Sequence, residues 1–124
     1  MHIAFALFLF AHGVAHLVGF SAAWALSPAK IPHLTTVVGG RFQVGESGIR
    51  VVGVLWVIAA VAFAVVAVGA ALNTGWWPRA AVPVAMGSLG LCVLGWPEAK
   101  IGVALNLGIV VLASMAAGWF PVAP

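Results

Sequence analysis

Four apolar runs, Ile3 to Leu26, Ile49 to Leu72, Ala80 to Trp96 and Ile101 to Phe120, leave this chain few ways to fold. At ~1.5 Å of rise per residue, each is long enough, or nearly so, to carry a helix across ~30 Å of hydrocarbon. A backbone at that depth must satisfy its own polar groups, and runs of this length do so as helices. The expectation is an all-α, integral membrane four-helix bundle running up-down-up-down. It is a single transmembrane domain over residues 1–124, with helices at about 3–26, 49–72, 80–96 and 98–120. Residues 27–48 are then the one substantial segment outside the membrane.

Composition removes the competing classes. The chain is 65% hydrophobic and 6% charged, where soluble domains carry about 25% charged residues. Its net charge of +3 comes from five basic and two acidic side chains. These form no basic cluster interleaved with aromatics, so a nucleic-acid partner is excluded and the bilayer is the expected surrounding. Lys30, Arg41, Arg50 and Lys100 fall at one end of the helices and Arg79 at the other. The positive-inside rule then puts both termini outside. Trp24 and Trp96 are expected in one interfacial belt, and Trp76, Trp77 and Trp119 in the other. The first run reads as a retained helix and not a cleaved signal, despite the small-x-small pattern Ala23-Trp24-Ala25, because no Lys or Arg precedes it and its centre is polar. The single cysteine, Cys92, has no internal disulfide partner and reads as a buried small hydrophobe.

Local signals set the connections. Pro83 is expected in the first turn of the third helix, where its missing N–H costs nothing. Gly95 can close that helix, with Pro97 opening the next and Glu98 in its first turn, where the helix dipole favours a carboxylate. In the long loop, Thr35 to Val38 and Arg41 to Val44 flank Gly39-Gly40, a signal for a β-hairpin-like loop with a primed two-residue turn. That register places Thr35, Val37, Phe42 and Val44 on one face, although an irregular glycine-rich loop fits the same residues.

The polar exception in the first run is the pair His12 and His16. Four residues turn a helix by about 400°, so the two rings share a face within roughly 40°. An ionisable group at membrane depth points into a bundle or a wet cavity. Gly13 and Gly19 beside the pair mark a place where helices approach closely. Along the fourth helix, Asn106 lies ~12 Å above Glu98, near the depth of His16. Glu46 and Arg50, four apart, can pair at the cytoplasmic mouth.

Several of these stretches together resemble a family of small four-helix bacterial membrane proteins, often loosely labelled transporter permeases, with no established activity. The resemblance rests on His12-Gly13-Val14-Ala15-His16-Leu17-Val18-Gly19-Phe20, Pro32-His33-Leu34-Thr35, Gly53-Val54-Leu55-Trp56, Trp76-Trp77, and Glu98-Ala99-Lys100 with Gly102 and Asn106. This chain has Pro97 and Glu98 where the family usually shows Ser and Asp, and its Gly39-Gly40 loop is longer. The resemblance implies the four-helix fold and a place in the bacterial inner membrane, and transfers no activity.

The candidate ligand-binding set is therefore His12, His16, Glu46, Arg50, Glu98 and Asn106. Its plainest use is an interhelical hydrogen-bond network that fixes packing. The favoured function is a pocket, open to the cytoplasmic side, for a small or amphipathic ligand or a partner membrane subunit. A membrane enzyme would use His16, Glu98 and Asn106 for acid–base chemistry on an apolar substrate. A proton-coupled carrier would need a homodimer of so small a chain. No cofactor is expected. His12 and His16 are weak metal candidates that need a third ligand from Glu98, Glu46 or His33, and bis-histidine haem would need a second chain.

Overall fold

A computed structural model of the protein describes residues 1–26 and 31–120. Lys30, the start of the long loop, lies outside the described residues. Four helices, α1 (His2–Ala23), α2 (Gly45–Ala71), α3 (Trp77–Leu94) and α4 (Lys100–Ala116), are joined by a hairpin of β1 (Thr36–Val37) and β2 (Phe42–Gln43) and by two short turns. Three of them, α1, α2 and α3, are long and apolar enough to cross a membrane. The fourth is apolar but only 17 residues long.

Helix ends differ from the hydropathy boundaries for identifiable reasons. Backbone hydrogen bonding continues past the apolar residues, so α2 starts at Gly45, four residues before Ile49, and includes Glu46 and Arg50 in its first two turns. In α3 the tolerant first-turn position is taken by Pro78, which leaves Pro83 inside the helix. α4 begins only at Lys100, because Pro97 and Glu98 belong to the preceding turn, with a cis peptide between Trp96 and Pro97. Glu98 therefore sits ahead of the helix and not in its first turn. α1 stops at Ala23, short of Leu26.

The hairpin has the register that Gly39-Gly40 implies: Thr36 pairs with Gln43 and Val37 with Phe42. Arg41 N–H closes the turn on the Val38 carbonyl at 3.2 Å, with φ of +62° at Gly39 and +85° at Gly40. Positive φ at both central positions defines a primed turn, which follows the natural twist of the strands. A lone hairpin is marginal, and this one is held from below. Val37 is buried with Ala23 and Ile49, and Val38 N–H donates to the Leu94 carbonyl at 2.8 Å, closing the exposed end of α3. Phe42, opposite Val37, faces outward instead.

Helices pack in sequence, α1 on α2, α2 on α3 and α3 on α4. Glycines allow the first of these contacts. A Cβ on Gly13 would lie 2.7 Å from Cβ of Phe63, and one on Gly19 would lie 2.6 Å from the Trp56 ring. Phe63, Leu9 and Ile109 are fully buried in the main core, together with Trp77, whose ring meets Phe5 at 5.4 Å. Trp77 is thus a core residue, packed inward at the start of α3. The outer faces carry exposed Leu7, Phe10, Ile58, Val65, Leu107 and Val111.

Candidate functional site

Between α1 and α4 the packing is incomplete, and a cavity of about 670 Å³ opens there. Its walls are Ala15, Val18 and Gly19 from α1, Ile101, Gly102 and Leu105 from α4, and Trp56 from α2. The hairpin glycines and the Trp96 to Glu98 turn frame its mouth. His12 and His16 line its inner end.

Three helices deliver the polar groups to that end. His12 and His16 are one turn apart on α1, 7% and 3% exposed. Ser88 and Cys92 are one turn apart on α3, and Asn106 comes from α4. Nε2 of His12 lies 3.1 Å from Oδ1 of Asn106. Nδ2 of Asn106 donates to Oγ of Ser88 at 2.9 Å and to Sγ of Cys92 at 3.5 Å. Oγ of Ser88 is hydrogen-bonded to Nε2 of His16. Nδ1 of His16 donates to the His12 carbonyl at 2.7 Å, which brings the chain of bonds back to its start. Among the described residues, no fully buried side-chain nitrogen or oxygen lacks a partner. An unmet polar group at such a place costs about 1–3 kcal/mol, so the set is stable only as a whole.

Aromatic rings enclose the imidazoles. His12 meets Phe63 edge to face at 4.9 Å, and His16 meets Trp56 at 5.3 Å. Gly13 and Gly19 act here as well, since each lets one of these two rings approach α1.

Of the six residues singled out from the sequence, His12, His16 and Asn106 come together. Glu98 lines the cavity mouth, exposed and away from the histidines. The expectation that His16 touches the fourth helix near Asn106 or Glu98 is met only indirectly: His16 bonds Ser88 of α3, and Ser88 in turn bonds Asn106. Glu46 and Arg50 do not pair with each other. Glu46 holds Nε2 of His33, with both carboxylate oxygens at 3.1 Å, while Nδ1 of His33 bonds the Ala22 carbonyl at 2.9 Å. These two partners push the His33 pKa up, the Ala22 carbonyl most, then Glu46. The Arg50 guanidinium lies 5.4 Å from the centre of the Trp24 ring, and Trp24 Nε1–H donates to the Arg50 carbonyl at 3.1 Å.

Ser88 and the polar use of Cys92 escaped the sequence reading. The available signal was their four-residue spacing, which repeats that of His12 and His16 and puts two small polar groups on one face of an apolar helix. As for metal, the rings of His12 and His16 stand at 84° to each other, and three of their four nitrogens are engaged by protein. Among the described residues, no group of three His, Cys, Asp or Glu side chains converges. No protein-family model, characterised protein or solved structure matches the chain.

Proposed function

We propose that this is a small multi-pass protein of the bacterial cytoplasmic membrane that binds an amphipathic molecule between α1 and α4. The observation that carries the reading is the cavity itself: about 670 Å³, apolar along its walls, with hydrogen-bonding histidines at its inner end. That volume falls in the ~300–1,000 Å³ range of small-molecule sites, which are mostly apolar with a few placed polar groups. Three apolar helices and an apolar outer surface support insertion, with α4 crossing as the fourth span of an up-down-up-down bundle. Arg41, Arg50 and Lys100 share the hairpin end with the cavity mouth, which supports a cytoplasmic mouth and outside termini.

The acid–base enzyme draws less support, because its acid, Glu98, is at the mouth while His16 is at the inner end. A partner subunit's helix in the same cleft is the other occupant that the shape admits.

Native mass spectrometry of protein extracted in mild detergent tests the reading. The expected spectrum contains a bound amphiphile. Ala15→Phe, which fills the cleft from α1, should eject it while the thermal midpoint stays within a few degrees. Trp56 fluorescence should also be quenched saturably by a brominated sixteen-carbon amphiphile. Protein that is empty in the spectrum and unquenched by the probe overturns the proposal.

A further inference from the structure

The hydrogen bonds at the inner end determine which proton each histidine holds. A backbone carbonyl only accepts, so Nδ1 of His16, facing the His12 carbonyl, carries a hydrogen. A neutral imidazole has one N–H, so Nε2 of His16 accepts from the Ser88 hydroxyl. With its hydrogen committed, Ser88 Oγ receives an N–H from Asn106. That orientation aims Oδ1 of Asn106 at Nε2 of His12, which must donate. Turning the amide over would ask Ser88 to donate twice, or would require a doubly protonated His16. No carboxylate touches His16 to balance such a charge among the described residues. The two histidines thus hold opposite tautomers, Nε2–H on His12 and Nδ1–H on His16.

One lone pair is left over, on Nδ1 of His12. It has no hydrogen-bond partner among the described residues, yet it is not sealed in the protein, since no fully buried side-chain nitrogen is without a partner. His12 lines the cleft. The remaining lining argues in the same direction. Among the described residues it includes no Lys or Arg, and its one charged group is the carboxylate of Glu98 at the mouth. An anion in the cleft would meet a bare lone pair at one end and a negative charge at the other. A hydroxyl group would meet an acceptor.

We propose that the cleft selects amphiphiles that present a neutral hydrogen-bond donor, a hydroxyl above all, to Nδ1 of His12, and discriminates against carboxylates. This rests on the reading of the cleft as an amphiphile site and names its ligand class.

Displacement of a fluorescent amphiphile by 1-hexadecanol, by its methyl ether and by hexadecanoate, all at mildly alkaline pH, tests the proposal on unmodified protein. The alcohol should displace the probe at about tenfold lower concentration than the ether, the effect of one net hydrogen bond, and should also outcompete the carboxylate. Equal potency of alcohol and ether, or a tighter carboxylate, overturns the selectivity and leaves the amphiphile site standing. Displacement by none of the three removes the site itself. His12→Phe should level the alcohol-to-ether ratio while the ether still binds; a ratio still near tenfold overturns the assignment to His12. Should that variant fail to fold, nitrogen-15 NMR of the native histidines decides the premise: the two rings must show opposite tautomers, and a shared tautomer sinks it.

Discussion

His16 and His33 use their rings in the same way in two very different places. Each sets Nδ1 on a carbonyl of α1, His12 for one and Ala22 for the other, and offers Nε2 to a side chain from elsewhere in the chain. The difference is what that side chain brings. Ser88, buried, has a hydrogen to give, so His16 is complete as a neutral ring. Glu46, exposed, only accepts, so His33 satisfies both partners when it is charged. Inside, where ionisation is costly, the protein supplies a neutral donor; at the surface, where water screens a charge, it supplies a carboxylate. The proton on the partner, more than the histidine itself, sets the chemistry of each place.

Removing the amide at the centre of the inner set should give the largest effect. Asn106→Leu keeps volume nearly constant and strands the Nε2–H of His12 and an acceptor site on Ser88 together. A loss of about 2–4 kcal/mol is expected, from two stranded groups at ~1–3 kcal/mol each, reduced because polar groups of the unfolded chain also find partners in the micelle. Equilibrium unfolding in mixed micelles measures it. A loss below about 0.5 kcal/mol would mean that the inner set is no more demanding than the surface one.

The hairpin comes next, since it separates His33 from Glu46 in the chain. Gly40 has φ of +85°, and a β-branched residue there costs on the order of 1–3 kcal/mol. Gly40→Val should speed proteolysis at Arg41, on the exposed turn, while protection of the helical core is unchanged. If core protection falls in parallel, the surface and inner regions do not behave as separate units.

Smallest of all is the response to pH. The pKa of His33 is raised, by the Ala22 carbonyl most and then by Glu46, so these contacts contribute fully below the ordinary histidine value and fade as pH rises through the raised one. Hydrogen exchange of hairpin amides should quicken across that window beyond its intrinsic pH dependence, and Glu46→Gln should reduce the excess to the part that the Ala22 carbonyl sustains. A hairpin indifferent to both pH and the substitution would show that the ion pair contributes nothing there.

Much of this was legible in the residues, and the gaps have a physical source. Gly39-Gly40 specified a primed turn and its register, because few residue pairs adopt positive φ twice in succession. His12 and His16 announced an inward face because nothing else in the run tolerates lipid less. Yet apart from that pair α1 is apolar on nearly every side, and α3 is little different, so hydropathy carried almost no information about their rotation. Which α3 residues would meet the histidines could not be read, and Ser88 passed unnoticed. Glu98 was misplaced because Pro97 reads as the opening residue of its helix, whereas Pro97 and Glu98 lie in the preceding turn and the helix starts at Lys100.

The open side of the molecule lies between two helices that do not follow one another in the chain. Among the described residues α1 and α4 are the first and last helices, and no loop ties one directly to the other, while every other neighbouring pair is joined by a short link or by the hairpin. The arrangement is that of a book with α2 and α3 as its spine and α1 and α4 as its covers. Among the described residues, the one side-chain hydrogen bond between the covers is the contact from His12 to Asn106, 3.1 Å long, which makes it the clasp of the book.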